Sequence, residues 1–155
     1  MWWRLARSEF EKRKGAGNRR ALRRIVDAGG MPGLIALVNG KPAGWCSAGP
    51  RDGYPVLDRS RILRRFDDRA VWSIVCFFIA RPLRKKGLTL MLLEEALAFA
   101  RRNGASIVEG YPVEPLEASI PAAFAWTGLA STFRKAGFVE VARRSPTRPL
   151  MRCYL

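Results

Sequence analysis

Histidine is absent from this chain of 155 residues. Its absence removes the side chain that most often serves as a general base and as a zinc ligand, so we expect no metal site. Cysteine is scarce, and Cys46, Cys76 and Cys153 lie far apart. An odd, widely spaced set argues against a disulfide framework and is typical of a reducing compartment, which predicts a cytoplasmic location.

Long apolar runs are also lacking. The longest nearly apolar stretch is Val71–Ala80, which is too short to span a bilayer as a helix, so we expect no membrane partner. The first residues, MWWRLARSEF, contain no apolar signal core, so no export signal is expected. With 48% hydrophobic and 26% charged residues, the composition predicts one globular domain over residues 1–155.

Acidic residues are few: 13 Asp and Glu stand against 28 Lys and Arg, which gives a net charge of +15. A field of this sign attracts nucleic acid, acidic surfaces and the phosphates of nucleotide cofactors. A solvated, arginine-rich surface explains most of these side chains equally well. The charge therefore selects no partner on its own.

The first part of the chain predicts a strand, a loop and a helix. Met1–Leu5 is apolar and aromatic, which suggests a first strand, and the charged Glu11–Gly17 suggests a loop. Asn18 is placed to cap a helix over Arg19–Ala28, which Gly29 can end.

A β-hairpin is the clearest local signal. Gly33–Val38 and Lys41–Ala48 flank Asn39-Gly40, and Asn-Gly between two apolar runs favours a type I′ turn because both residues tolerate positive φ. The polar segment Arg51–Arg69 follows, with a short helical turn predicted at Ser60–Arg65. Its length suits a lid over a substrate, and a solvated connection explains it as well.

The middle of the chain predicts a strand, a helix and a parallel strand. Val71–Ile79 is rich in β-branched and aromatic residues, which suits a central strand buried on both faces. Gly87–Arg102 has apolar residues at helical spacing, and Ser106–Tyr111 reads as a second core strand. Such a unit implies a right-handed crossover between neighbouring parallel strands.

The last part completes the sheet. A loop is expected over Pro112–Pro121 and a helix over Thr127–Ala136, ended by Gly137. Phe138–Arg143 and Pro149–Tyr154 are expected to form a final strand pair. The predicted fold is α/β, with a mixed, mostly antiparallel central sheet and one β-α-β crossover.

The junction Arg81–Thr89, with the sequence RPLRKKGLT, carries the functional prediction. The start of a helix has unpaired N–H groups and the positive end of the dipole, and a glycine there lets an anion approach the backbone. Arg84, Lys85 and Lys86 add positive charge at the same point. The junction is neither a Walker motif nor GxGxxG, but it predicts a diphosphate site.

This junction resembles the RxxGx(G/A) acetyl-CoA signature of GCN5-related N-acetyltransferases, with Arg84, Gly87 and Thr89 at its positions. The hairpin NGKPAGW and the segment TFRKAGF resemble other parts of that family, especially its uncharacterised bacterial members. The resemblance implies an acyl-CoA N-acyltransferase fold, acetyl-CoA as cosubstrate and an amine acceptor. Cofactor contacts are then expected from Phe77, Phe78, Ile79, Arg84, Lys85, Lys86, Gly87, Leu88 and Thr89.

Two residues depart from the family pattern. Thr89 replaces a glycine or alanine, and it still offers its N–H together with a hydroxyl. Phe133 stands where many relatives place a tyrosine as general acid, and a phenyl ring cannot protonate a leaving thiolate.

The resemblance implies direct attack of an amine on the thioester, with backbone groups at Phe77–Ile79 pairing with the pantetheine arm and polarising the carbonyl. Glu109 is the candidate base, because a carboxylate near the end of an apolar strand is costly unless it is used; pairing with an arginine is the alternative. Tyr111, on the same strand face, and Ser131, near Phe133, are further candidates for proton transfer.

Three functions remain open from the sequence. The first is an N-acetyltransferase acting on a primary amine of a small molecule or a protein. The second is a basic module associated with nucleic acid, and the third is a catalytically degenerate acyl-CoA-binding protein. The acceptor is not identified, and a homodimer is as compatible with the sequence as a monomer.

Overall fold

The computed structural model describes residues 1–116, 121 and 124–155. Helices α1 to α5 span, in chain order, Arg7–Lys12, Ala16–Asp27, Pro55–Arg59, Leu88–Arg102 and Ala130–Lys135. Strands β1 to β6 span Leu34–Val38, Lys41–Pro50, Trp72–Ile79, Ile107–Gly110, Val139–Arg143 and Pro149–Tyr154. Part of the predicted loop Pro112–Pro121 lies outside the described residues.

The strands form one six-stranded sheet in the order β1-β2-β3-β4-β6-β5. β3 and β4 are parallel and are connected by α4, while the other neighbouring pairs are antiparallel. The mixed, mostly antiparallel sheet with one β-α-β crossover is therefore confirmed.

The hairpin between β1 and β2 has the predicted turn. Asn39 and Gly40 have φ values of 50° and 74°, so both central residues lie in the left-handed region that a type I′ turn requires. Val38 pairs with Lys41 directly across the turn.

The predictions for the N-terminal segment are wrong. Met1–Leu5 forms turns instead of a strand, and the predicted loop is interrupted by α1 and by the start of α2. Asn18 does not cap α2, which begins after Gly15; its side-chain amide donates to the Phe10 carbonyl oxygen at 3.0 Å and ties the two helices together. The aromatic side chains of this segment are used in tertiary packing instead: Trp2 contacts Phe10 edge to face, and Trp3 stacks on Trp126.

Two further boundaries differ from the prediction. The helix in the polar segment is α3, which begins at Pro55, because proline suits the first helical turn. The predicted turn at Ser60–Arg65 is present as a single helical turn, in which the Arg64 amide donates to the Ser60 carbonyl oxygen at 3.0 Å. Helix α5 begins at Ala130, later than predicted, because Leu129 bridges to Val113 in strand fashion.

The sheet buries a separate apolar cluster on each face. One cluster joins the sheet to the crossover helix and α5 through Leu93, Ala96 and Phe133. The other places Tyr54, Leu57 and Leu63 against the opposite face. The segment after β2 is therefore packed on the sheet, and the prediction of a solvated connection is wrong for this part.

A buried ionic network crosses the second face of the sheet. Glu109 on β4 accepts hydrogen bonds from Arg51 Nη1 at 3.1 Å and from Arg152 Nε at 2.9 Å. The Tyr111 hydroxyl donates to the same carboxylate at 2.7 Å and lies 2.8 Å from Ser73 Oγ. Arg51, Glu109 and Arg152 are each at most 2% exposed.

The outer ends of both arginines reach carboxylates nearer to solvent. Arg51 Nη2 lies 2.7 Å from Asp58 Oδ1 and 3.1 Å from the Leu63 carbonyl oxygen. Arg152 donates to both oxygens of Asp67, at 2.6 and 2.7 Å. These bonds fasten the segment after β2 to the centre of the sheet.

We expect Glu109→Gln to lower the free energy of unfolding by about 3 kcal/mol, because it leaves two buried guanidinium groups without their shared charge. Urea unfolding followed by tryptophan fluorescence measures this. The control is Glu94→Gln on the exposed face of α4, expected to change stability by less than about 0.5 kcal/mol. Equal stability of the two variants would contradict the role assigned to the network.

Asp67 should make the free energy of unfolding depend on pH in the acidic range. Hydrogen bonds from Arg152 lower the pKa of Asp67 from 3.8 to about 2. A lowered pKa stabilises the fold above pH 3.8, and this contribution is lost as the pH falls towards 2. Between pH 4 and 2, the free energy of unfolding of the wild type should therefore fall more steeply than that of Asp67→Asn. Parallel pH curves in urea unfolding would contradict this.

Candidate functional site

β3 and β4 separate at their carboxyl ends. Their pairing stops at Ile74 and Gly110, while β3 continues to Ile79. A bulge lies at the same place, because Ser47 pairs with Cys76 and Ala48 pairs with Ile74, which leaves Val75 as an extra residue. Beyond the bulge, the edge of β3 is therefore not paired with β4; we call this unpaired region between the two strands the wedge.

Helix α4 begins beside this wedge with the geometry of an anion site. Gly87, which precedes its first residue, has φ 82°, and a Cβ there would meet nothing within 4 Å. Among the described residues, the amides from Lys85 to Thr89 have no hydrogen-bond acceptor. Unpaired amides at the positive end of a 15-residue helix favour a negatively charged ligand.

A cleft connects the end of β3 to the start of α4. It consists of two adjoining cavities of about 230 and 330 Å³ that share Ile79 and Thr89; we call it the β3–α4 cleft. Eight of the nine predicted cofactor residues line it: Phe77, Phe78, Ile79, Arg84, Lys85, Gly87, Leu88 and Thr89. Lys86, the ninth, is exposed outside the lining. The sequence-based grouping therefore corresponds to one place in the molecule.

Sequence reasoning missed the wall opposite α4. It comes from later segments, which contribute Ala125, Trp126, Leu129, Thr132 and Lys135. Lys135 adds an ammonium group to the cavity that contains Gly87 and Lys85. It lies three residues after Thr132 in TFRKAGF, on the same face of the helix, and this spacing is the signal that could have found it.

Two backbone groups of β3 already have partners inside the protein. The Phe77 amide donates to the Trp126 carbonyl oxygen at 2.7 Å, and Arg84 Nε donates to the Ile79 carbonyl oxygen at 3.0 Å. Trp126 in turn stacks on Trp3, with 5.4 Å between ring centroids. Because successive amides of a strand point to opposite edges, the Ile79 amide faces the same edge as that of Phe77.

The three predicted catalytic residues lie apart from this cleft. Glu109 and Tyr111 belong to the ionic network, are 1% exposed, and have their polar atoms bonded within the protein. Burial, as the largest cause, raises the pKa of the Tyr111 hydroxyl, which keeps it protonated. Ser131 is exposed on α5 and contributes to neither part of the cleft lining.

Phe133 fills the position where the resemblance leads one to expect a catalytic tyrosine. Its ring is fully buried between two glycine backbones: a Cβ on Gly110 would lie 2.0 Å from its Cε1, and one on Gly128 would lie 2.7 Å from its Cε2. It also packs against Phe138, with 4.8 Å between centroids. Here the ring is a fully buried core element between Phe77 and Phe138, and it carries no group that could transfer a proton.

Within the described residues, no helix is both long and apolar enough to cross a membrane. The same residues contain no cluster of three or more His, Cys, Asp or Glu side chains that could hold a metal ion.

Comparison with known proteins gives one family. The protein-family model described as Acetyltransferase (GNAT) family matches residues 1–123. No curated protein matches the sequence.

The chain is similar in fold to several solved acetyltransferases. Ribosomal-protein-alanine N-acetyltransferase from Brucella melitensis is 19% identical with a TM-score of 0.55, covering 89% of this chain and 76% of that one. A GNAT-family acetyltransferase from Streptococcus pneumoniae is 17% identical with a TM-score of 0.56, covering 92% and 78%. Aminoglycoside acetyltransferase AAC(6′)-Ib in complex with coenzyme A is 20% identical with a TM-score of 0.51, covering 77% and 64%.

Phe133→Tyr should lower the free energy of unfolding by about 1–3 kcal/mol, because the added hydroxyl has to enter a packed site between two backbones. Phe124→Tyr is the matched control, since Phe124 is 62% exposed and has room for the hydroxyl. Urea unfolding of both variants tests this, and a Phe133→Tyr protein as stable as the control would show that the site can accept the tyrosine.

Proposed function

The chain belongs to the GNAT acetyltransferase family, and we propose that it moves an acetyl group from acetyl-CoA to a primary amine by direct attack of the amine on the thioester. The observation that carries the proposal is the run of amides around Gly87, at the start of α4 and inside the β3–α4 cleft, which find no acceptor in the part of the chain that the structure describes. The amine would belong to a small molecule or to a protein.

The residues of the cleft fit a diphosphate. Gly87 leaves open space over the backbone, and the amides from Lys85 to Thr89 can donate to phosphate oxygens. The ammonium groups of Lys85 and Lys135 add positive charge to the same cavity. The Thr89 hydroxyl lies where both parts of the cleft meet and adds one more donor.

The exposed edge of β3 suits the thioester end. Acetyl-CoA supplies an acetyl group that is activated as a thioester. The Ile79 amide faces the wedge. The Phe77 amide faces the same edge and becomes a free donor when its bond to the Trp126 carbonyl oxygen is broken. A backbone N–H in this position stabilises negative charge on the carbonyl oxygen as the amine attacks.

Proton transfer is expected to depend on groups other than those predicted. Glu109 and Tyr111 are held in the ionic network, so their roles as base and acid stay predictions that the geometry does not favour. Ser131 can act only through water, because it is outside the cleft lining. Binding an amine that is already deprotonated, with the proton released to solvent, requires no such side chain.

A catalytically degenerate acyl-CoA-binding protein is the second candidate. The burial of Phe133 favours it, because the family's usual acid is replaced by a core side chain. Thiol release from acetyl-CoA in the presence of an amine panel distinguishes the two functions, since only the enzyme releases coenzyme A faster than buffer.

Gly87→Glu should abolish coenzyme A binding, with a loss of at least about 100-fold, because its carboxylate would stand among the amides that bind the diphosphate. Isothermal titration calorimetry with coenzyme A measures the affinity, and circular dichroism verifies that the variant is folded.

Gly104→Glu is the matched control at the other end of the same helix. Gly104 also has a positive φ, 79°, and a Cβ there likewise meets nothing within 4 Å, so the backbone strain of the two variants is similar. Coenzyme A should bind the control as it binds the wild type. If Gly87→Glu also binds it with unchanged affinity, the proposed phosphate site is wrong.

A further inference from the structure

Backbone segments from distant parts of the chain lie side by side at the carboxyl ends of β3 and β4. The Trp126 carbonyl oxygen accepts from the Phe77 amide at 2.7 Å, and the Gly128 carbonyl oxygen accepts from the Val113 amide at 2.9 Å. The Glu114 amide donates to the Thr147 carbonyl oxygen at 2.9 Å. Backbone hydrogen bonds therefore link the wall of the β3–α4 cleft, step by step, to the turn between β5 and β6.

Arg148 reaches from the β5–β6 turn to the segment that follows the cleft wall. It lies at the end of the β5–β6 turn, and its Nη1 donates to Thr127 Oγ1 at 2.9 Å. Thr127 is 1% exposed and directly follows Trp126, which lines the cleft. The guanidinium group is thus held one residue from the cleft wall, where α/β sheets commonly bind their ligands.

The surroundings of the partly buried Arg148 differ from those of the fully buried Arg51 and Arg152. Arg51 and Arg152 each bond to two carboxylates. Arg148 is partly buried, and among the described residues its guanidinium is bonded only to the Thr127 hydroxyl. Burial lowers the pKa of Arg148, whereas Asp67 and Glu109 raise that of Arg152 despite its burial.

A guanidinium group carries five N–H donors in a planar fork that matches an oxyanion. With one donor bonded to Thr127, Arg148 keeps most of them for a ligand. An oxyanion bound there would also supply the negative charge that the partly buried cation lacks in this part of the chain.

We propose that Arg148 binds an oxyanion group, such as a carboxylate, of the amine acceptor, so that the chain prefers acidic amines. The inference rests on the proposed function. Thr127 is the positioning residue, because its hydroxyl fixes the guanidinium beside the cleft wall. The phosphates of coenzyme A are the competing source of an oxyanion, and the experiment separates the two.

The test is calorimetric titration of the protein, saturated with coenzyme A, with glutarate as a dicarboxylate that has no amine. Wild-type protein should bind it, and Arg148→Gln should bind it on the order of tenfold more weakly, as expected for loss of charge-assisted hydrogen bonds. Arg148→Lys should be intermediate because it keeps the charge without the planar fork. Thr127→Val should also weaken binding while keeping Arg148.

Coenzyme A affinity, measured on the same variants, should stay within about twofold of the wild type, since the proposal assigns Arg148 to the acceptor. A parallel loss of coenzyme A affinity would assign the arginine to the cofactor and overturn the proposal. So would equal glutarate affinity in wild type and Arg148→Gln, or no glutarate binding by the wild type. If Arg148→Gln fails to fold, Arg148→Lys and Thr127→Val decide the matter.

The phosphate site at Gly87 and the acceptor site at Arg148 are tested by different results. Loss of glutarate binding in Arg148→Gln with normal coenzyme A binding supports the acceptor site whatever Gly87→Glu shows. Normal coenzyme A binding by Gly87→Glu would instead remove the phosphate site and leave the glutarate result standing.

Discussion

Two buried guanidinium groups share the carboxylate of Glu109, and the arrangement of the sheet depends on this contact. Glu109 lies on β4, between the parallel strand β3 and the antiparallel strand β6. A one-residue slip of β4 would turn its carboxylate to the opposite face, against the apolar side chains of α4. Burying an unpaired charge there would cost several kcal/mol, so the network selects one register.

The network also determines where the functional site can be. Arg51 and Arg152 occupy the second face of the sheet, so the apolar helix α4 packs on the first face. The N-terminus of α4 then lies at the end of β3. The wedge begins one residue beyond Glu109, where β4 stops pairing with β3. The charges hold β4 at Glu109, while beyond the bulge the lining of the cleft is formed by Phe77, Phe78 and Ile79 of β3.

Local patterns in the sequence predicted the fold well where the structure depends on neighbouring residues. Asn39-Gly40 predicted its turn because both residues tolerate the positive φ that the turn requires. The strand, the cationic turn and the helix around Gly87 follow one another in the sequence, so the position of the site could be predicted from their order. Met1–Leu5 was predicted wrongly because its aromatic side chains pack against distant residues, as Trp3 does on Trp126, and nothing local shows those contacts.

The rest of the site depends on contacts between distant residues. Arg51 meets Glu109 across 58 positions and Arg152 meets it across 43, and the sequence does not show which of its many arginines are buried. The apolar run around Glu109 suggested a costly carboxylate, and pairing with arginine was the correct alternative. Trp126 and Lys135 also reach the cleft through contacts between distant residues: the Trp126 carbonyl oxygen accepts from the Phe77 amide, and the bridge between Val113 and Leu129 precedes the helix that carries Lys135.

The packing of Phe133 against two glycines restricts how related sequences can vary. Its ring occupies the volume that side chains on Gly110 and Gly128 would need, so these three positions share one fixed space. A relative with a larger residue at Gly110 would need a smaller one at position 133, and a smaller residue at 133 would leave a void that a side chain at 110 could fill. Homologous sequences should therefore exchange volume between positions 110 and 133, whereas position 128 should stay glycine because its φ of 87° strains any side chain.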